Sequence, residues 1–109
     1  MSHADVGAVF AALADPTRRR MVQALLRDGE TSVPALTAAL PISRQMVAKH
    51  LATLDQAGLL EREPGRGREV SYRLRDGALR DAASWIHEAE LLWDERLARL
   101  KANVERGGD

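Results

Sequence analysis

Apolar residues recur along this chain with two different periods. Val6, Val9, Phe10 and Leu13 fall at helical spacing over residues 4–14 and predict a short amphipathic helix. The segment ADPTRRR interrupts it. Asp15 is suited to cap a second helix, with Pro16 in the first turn, where a missing N–H costs nothing. Met21, Val22, Leu25 and Leu26 form the apolar stripe of that helix, and Gly29 ends it. Ser32 caps a third helix, with Val33, Leu36 and Leu40 facing inward. Pro41 and Ser43 make LPIS a tight turn. A fourth helix then runs from about Arg44 to Ala57 and stops at Gly58.

The period changes after Gly58. LLEREP and EVSYRL flank GRG, and the second segment alternates Val70, Tyr72 and Leu74 against Glu69, Ser71 and Arg73. This predicts a β-hairpin with a glycine-rich turn. From Gly77 to about Arg106 no breaker occurs, and Leu79, Ile86, Trp93 and Leu100 recur every seven residues. That is a long amphipathic helix with more apolar surface than a small core can cover. The order predicts a mainly α fold with a small β-hairpin wing, a winged helix-turn-helix. It forms a single domain over 1–109: two helices over 4–30, the helix-turn-helix over 32–57, the wing over 59–75 and the long helix over 77–106.

Composition narrows the picture. A chain of 109 residues can bury one modest core. With no cysteine it has no disulfide, thiolate metal site or thiol redox chemistry. No apolar run approaches the roughly 18 residues of a membrane span, and MSHADVGAVF lacks the layout of a secretion signal. The expected location is the cytoplasm, with no membrane partner. Net charge is zero, but residues 42–75 hold seven Lys and Arg against four Asp and Glu. The mid-chain excess is compatible with a local nucleic-acid footprint and too small to establish one alone.

The fourth helix carries the most informative chemistry. At about 100° per residue, Val47, Leu51 and Leu54 share its core face. Gln45, Lys49, Ala52 and Gln56 gather opposite, and Arg44 and His50 lie on the flanks. Ala48 and Ala52 keep the outer face slim. Such a helix suits the major groove, where arginine can donate twice to guanine and glutamine can pair with adenine. The helix N-terminus with the Ser43 hydroxyl suits a phosphate. The hairpin tip adds Arg66 and Arg68, which can reach an adjacent minor groove or phosphates. A solvated polar helix face and a turn kept hydrated by its arginines are the plain alternatives.

Three stretches, ALADPTRRRMVQALL, LPISRQMVAKHLATLDQAGLLERE and GRGREVSYRL, resemble the ArsR/SmtB family of bacterial winged-helix repressors over about residues 8–75. The resemblance implies a homodimer paired through the first and last helices, with Val6, Phe10, Trp85, Ile86 and Trp93 at the interface. It implies double-stranded DNA as partner, with Ser43, Arg44, Gln45, Lys49 and His50 as base readers or phosphate contacts and Arg66 and Arg68 in the wing. Thr17 and Arg18 would hold backbone phosphate. Of Arg18, Arg19 and Arg20, at least one is expected to form an internal ion pair instead. His50 borders the core face, so it either touches DNA or orders the helix.

Many relatives release DNA on binding metal. The thiolate site used by some has no cysteine here. A second type pairs an early D-x-H with a later H-x-x-E. His87 and Glu90 match the later half, but the early positions hold Leu74 and Asp76. A metal needs about four ligands, so the expectation is no metal and no cofactor. Sensing through His87 and Glu90 remains the alternative effector mode. A small apolar effector near Trp85 and Trp93 is a further hypothesis. A winged-helix protein-interaction module is the alternative function. No nucleophile–base constellation, paired carboxylates or phosphate loop points to an enzyme.

Overall fold

The computed structural model describes residues 5–107. The expected first-helix start at residue 4 lies outside them. Helix α1 spans Val6–Ala12, α2 Pro16–Asp28, α3 Val33–Ala39 and α4 Arg44–Gln56. Strands β1 (Leu60–Pro64) and β2 (Val70–Leu74) follow, and α5 runs over Arg80–Gly107.

Each of the first four helices begins at a side-chain cap. The Asp5 carboxylate accepts from the Gly7 N–H, that of Asp15 from Arg18, and the Ser32 and Ser43 hydroxyls accept from Ala35 and Met46. These bonds satisfy amide donors that the helix itself leaves unpaired. Helix α2 ends at Gly29, whose φ of +84° few other residues adopt readily. Helix α3 ends at Leu40, which is extended because Pro41 follows it.

The core lies where α1, α2, α3 and α4 converge on the base of the hairpin. Val9, Met21, Leu25, Leu36, Val47, Leu51, Leu54, Leu59 and Leu60 are almost wholly buried there. The strands pair antiparallel, with Arg62 opposite Tyr72 and Pro64 opposite Val70. Thr31, just before α3, adds a bridge on the other edge of β2. Its N–H donates to the Tyr72 carbonyl at 2.9 Å, and the Tyr72 N–H donates back at 2.8 Å. The wing is thereby fastened to the start of the helix-turn-helix. Periodicity does not reveal this bridge.

Three local expectations need correction. Leu26 is 62% exposed, off the buried stripe of α2. Of the three inward positions expected on α3, only Leu36 is fully buried, with Val33 and Leu40 packed at the margin. The last helix begins at Arg80 rather than Gly77, because Gly77 has φ +73° and residues 75–80 form turns first.

Helix α5 has 28 residues, a length of about 42 Å at about 1.5 Å per residue. It touches the body near its start, where Ala82 is buried. Beyond that, Trp85, Ile86, Leu92, Trp93, Leu97, Leu100 and Val104 are all exposed. The chain is therefore elongated. Its radius of gyration is 19.4 Å, against about 13 Å for a compact domain of this length. No helix among the described residues is long and apolar enough to cross a membrane.

Candidate nucleic-acid interface

Ser43 sets the geometry of the interface. Its hydroxyl accepts from the Met46 N–H at 3.1 Å and starts α4 immediately after the turn. Val47, His50, Leu51 and Leu54 are then driven inward. Arg44, Gln45, Met46, Ala48, Lys49, Ala52 and Gln56 are left exposed. The outer face is slim and polar, with its longest donors in the first two turns.

The hairpin turn places two more cations beside that face. Gly65 donates to the Glu69 carbonyl and Glu69 donates to that of Arg66. Gly67, at φ +61°, makes the reversal. At Gly65 a Cβ would lie 3.1 Å from the Glu69 carbonyl oxygen, so any larger residue there would push the tight tip open by a few tenths of an ångström. Arg66 and Arg68 then share one groove with Arg44, lined also by Glu69 and bounded by Val33, Pro34, Val70 and Tyr72. Three of the predicted contacts, 22 or more residues from α4 to tip in sequence, thus meet at one place.

The pairing of the arginines separates two groups. Arg73 on β2 lies within ion-pair distance of Glu61, Glu63 and Asp76, and Arg62 on β1 lies 3.7 Å from Asp55. These cations are neutralised locally and brace the hairpin. The side chains of Arg44, Lys49, Arg66 and Arg68 make no hydrogen bond or ion pair among the described residues. Cations without a partner among the described residues thus stand on the outer face of α4 and at the wing tip.

The arginines after Pro16 behave differently. Arg18 Nε donates to the Ala12 carbonyl at 2.6 Å, its Nη2 donates to that of Ala11, and Nη1 lies 3.3 Å from His50 Nδ1. Arg19 donates to the carbonyls of Leu13 and Ala14. Both residues cap the C-terminal end of α1. The expected internal partner is therefore a set of carbonyls rather than a carboxylate. Arg18 and His50 are both turned inward, and His50 is only 9% exposed. Thr17 is half-buried in the first turn of α2. The Arg18 N–H on Asp15, with the nearby Arg18 guanidinium, holds the Asp15 carboxyl below its ordinary range, outweighing desolvation.

The residue missed in sequence is Met46. It is 40% exposed between Gln45 and Val47, and its apolar surface is of the kind that meets a thymine methyl. Val6 and Phe10 are half-buried on α1, and Trp85, Ile86 and Trp93 are exposed on α5. His87 and Glu90 are also exposed on α5. Among the described residues, no three His, Cys, Asp or Glu side chains converge as a metal cluster would.

Comparison with known proteins gives a consistent answer. A family model described as a helix-turn-helix domain matches residues 13–63. The arsenical resistance operon repressor of Escherichia coli is 36% identical over 98 residues, covering 90% of this chain and 83% of that protein. The transcriptional repressor SdpR of Bacillus subtilis is 31% identical over 78 residues, covering 72% and 84%. The arsenic resistance transcriptional regulator ArsR1 of Pseudomonas putida is 46% identical over 66 residues, but the match spans 61% of this chain and about half, 51%, of that protein. Among solved structures, an ArsR-like transcriptional regulator from Rhodococcus sp. RHA1 superposes with a TM-score of 0.75 at 39% identity, covering 89% of this chain and 90% of that one.

Proposed function

The chain belongs to the ArsR/SmtB family of winged-helix transcriptional regulators, and from that premise we propose that it is a homodimeric repressor of a near-palindromic operator, working without a metal. Regulators of this family bind double-stranded DNA. The observation that carries the reading is the division of its arginines. Those of the wing stem are paired, while the side chains of Arg44, Lys49, Arg66 and Arg68 have no partner among the described residues and surround one exposed helix and one hairpin tip.

In this reading α4 lies in the major groove. Arg44 and Gln45 meet base edges, Lys49 meets base or backbone, and Ser43 with the amides of the first turn receives a phosphate. Arg66 and Arg68 follow the backbone or the neighbouring minor groove, and Thr17 reaches a phosphate beside α2. The uncovered stripe of α5 supports a twofold partner. Trp85, Ile86 and Trp93, with Val6 and Phe10 of α1, would be buried against their own counterparts in an isologous contact. Two copies of α4 would then meet successive major grooves about 34 Å apart. Metal independence is supported by the missing cysteines and by Leu74 and Asp76 where an Asp and a His would be needed. A cytoplasmic site of action goes with this role.

Sedimentation of the protein with a duplex carrying its selected site tests the reading. Two chains per duplex at modest salt, unchanged by chelator, are expected. One chain per duplex, or binding that requires added metal, would contradict it.

A further inference from the structure

Arg18 and His50 join elements that lie 32 positions apart in the chain. The guanidinium is gripped on one side by the last carbonyls of α1, Ala11 and Ala12, and meets the His50 ring on the other. An arginine side chain offers donors only. The His50 Nδ1 at 3.3 Å is therefore placed as the acceptor, a role open only to a ring that carries its proton on Nε2. The ring is 9% exposed on the flank of the core face of α4, and Lys49 beside it is exposed. At the other end of this link, α1 carries Phe10, which contacts Trp85 at the base of α5.

We infer that Arg18 and His50 are positioning residues, whose hydrogen bond moors the DNA-facing helix to the end of α1, and that specific DNA binding weakens when His50 takes up a second proton. The inference rests on the DNA-binding reading above and concerns how that face is held. An imidazolium has no acceptor. Protonation would convert Nδ1 into a donor facing a permanent cation, and the bridge would be lost. The charged groups that face the ring are the Arg18 guanidinium and the Asp15 carboxylate, both at the start of α2. They act oppositely on a charged ring, but neither restores the Arg18 bond. Helix α1 contributes only carbonyls that Arg18 already occupies. Without the mooring, α4 keeps its apolar contacts but gains freedom to rock, and its readers leave their register with the base edges.

The sign of the effect separates this role from a direct contact. A histidine touching phosphate binds DNA more tightly as it gains charge. A histidine that positions the helix does the reverse.

The test uses the full chain carrying His3→Gln and His87→Gln, so that His50 is the one imidazole left. Affinity for a selected duplex is measured from about pH 7.5 to about pH 5.5, the range in which imidazoles titrate. It should fall at least about fivefold, as expected for loss of a charge-assisted hydrogen bond. His50→Asn retains an acceptor near the Nδ1 position and does not titrate. It should bind within about twofold of the parent at neutral pH and stay flat on acidification. Imidazole nitrogen shifts should report the proton on Nε2 at neutral pH. Affinity that rises or stays constant on acidification, or a His50→Asn profile as steep as the parent's, overturns the inference while leaving DNA binding intact. No specific binding by the parent at neutral pH would overturn the functional reading and the inference together.

Discussion

Phe10 of α1 meets Trp85 of α5 edge to face, with ring centroids 5.7 Å apart and planes at 72°. This contact joins α1 to the first turns of the long helix, beside the buried Ala82. Such a pair is worth about 0.5–1.5 kcal/mol beyond the area it buries. Phe10→Ala should lower stability by at least that amount and loosen the base of α5. Urea unfolding followed by tryptophan fluorescence checks it, and an unchanged midpoint would show that the rings carry no weight.

Past Trp85 the apolar stripe of α5 stays exposed among the described residues. A pair of glutamates at Leu97 and Leu100 should therefore leave the helix-turn-helix folded and convert a dimer to monomer, with loss of operator affinity. Sedimentation equilibrium reads the mass, and amide exchange in α2 and α4 reports whether the body is intact. A dimer that survives both substitutions would place the interface elsewhere.

Arg44→Ala and Gln45→Ala should each relax preference at one base position, at a cost of about 1–3 kcal/mol there. Titration against single-base variants of the site resolves the two. Arg68→Ala should act differently, weakening all sequences together and lowering the slope of affinity against salt by about one ion. Equal losses on specific and random DNA for all three variants would remove Arg44 and Gln45 as readers.

Asp15 predicts an acid dependence of stability. Its carboxyl is held below the ordinary range in the folded chain, first of all by the Arg18 N–H. A group with a lowered folded-state pKa stabilises above its unfolded value and loses that contribution as pH falls through the folded one. Asp15→Asn keeps a capping oxygen but not the titration. The wild-type chain should be the more stable at neutral pH, and the gap should close as the medium becomes strongly acid. Parallel unfolding midpoints for both proteins across that range would count against the cap.

Most of the architecture is legible in the sequence because it depends on local rules. Capping residues, Gly29, Pro41 and the change of apolar period mark the elements with little help from tertiary structure. What was not legible depends on contacts distant in the chain. The inward turn of Arg18 is invisible until α1 ends beside it, since three successive arginines look alike. His50 stands at the edge of the core face by helical phase, and only its neighbour from α2 decides how it is engaged. The bridge between Thr31 and Tyr72 has no periodic signature, because a single residue pairs. Leu26 fits the α2 stripe by spacing, yet the elements packed against that helix leave it uncovered.

The measurement closest to the central claim is selection of bound fragments from sheared DNA of the source genome, using the full chain at near-physiological salt. A repressor of the proposed kind should enrich one near-palindromic sequence whose half-sites are centred about one helical turn apart, and Arg44→Ala should lose that enrichment. No enriched sequence, with binding that vanishes at modest salt, would contradict it and leave α4 and the wing as a weakly basic surface suited to a protein partner.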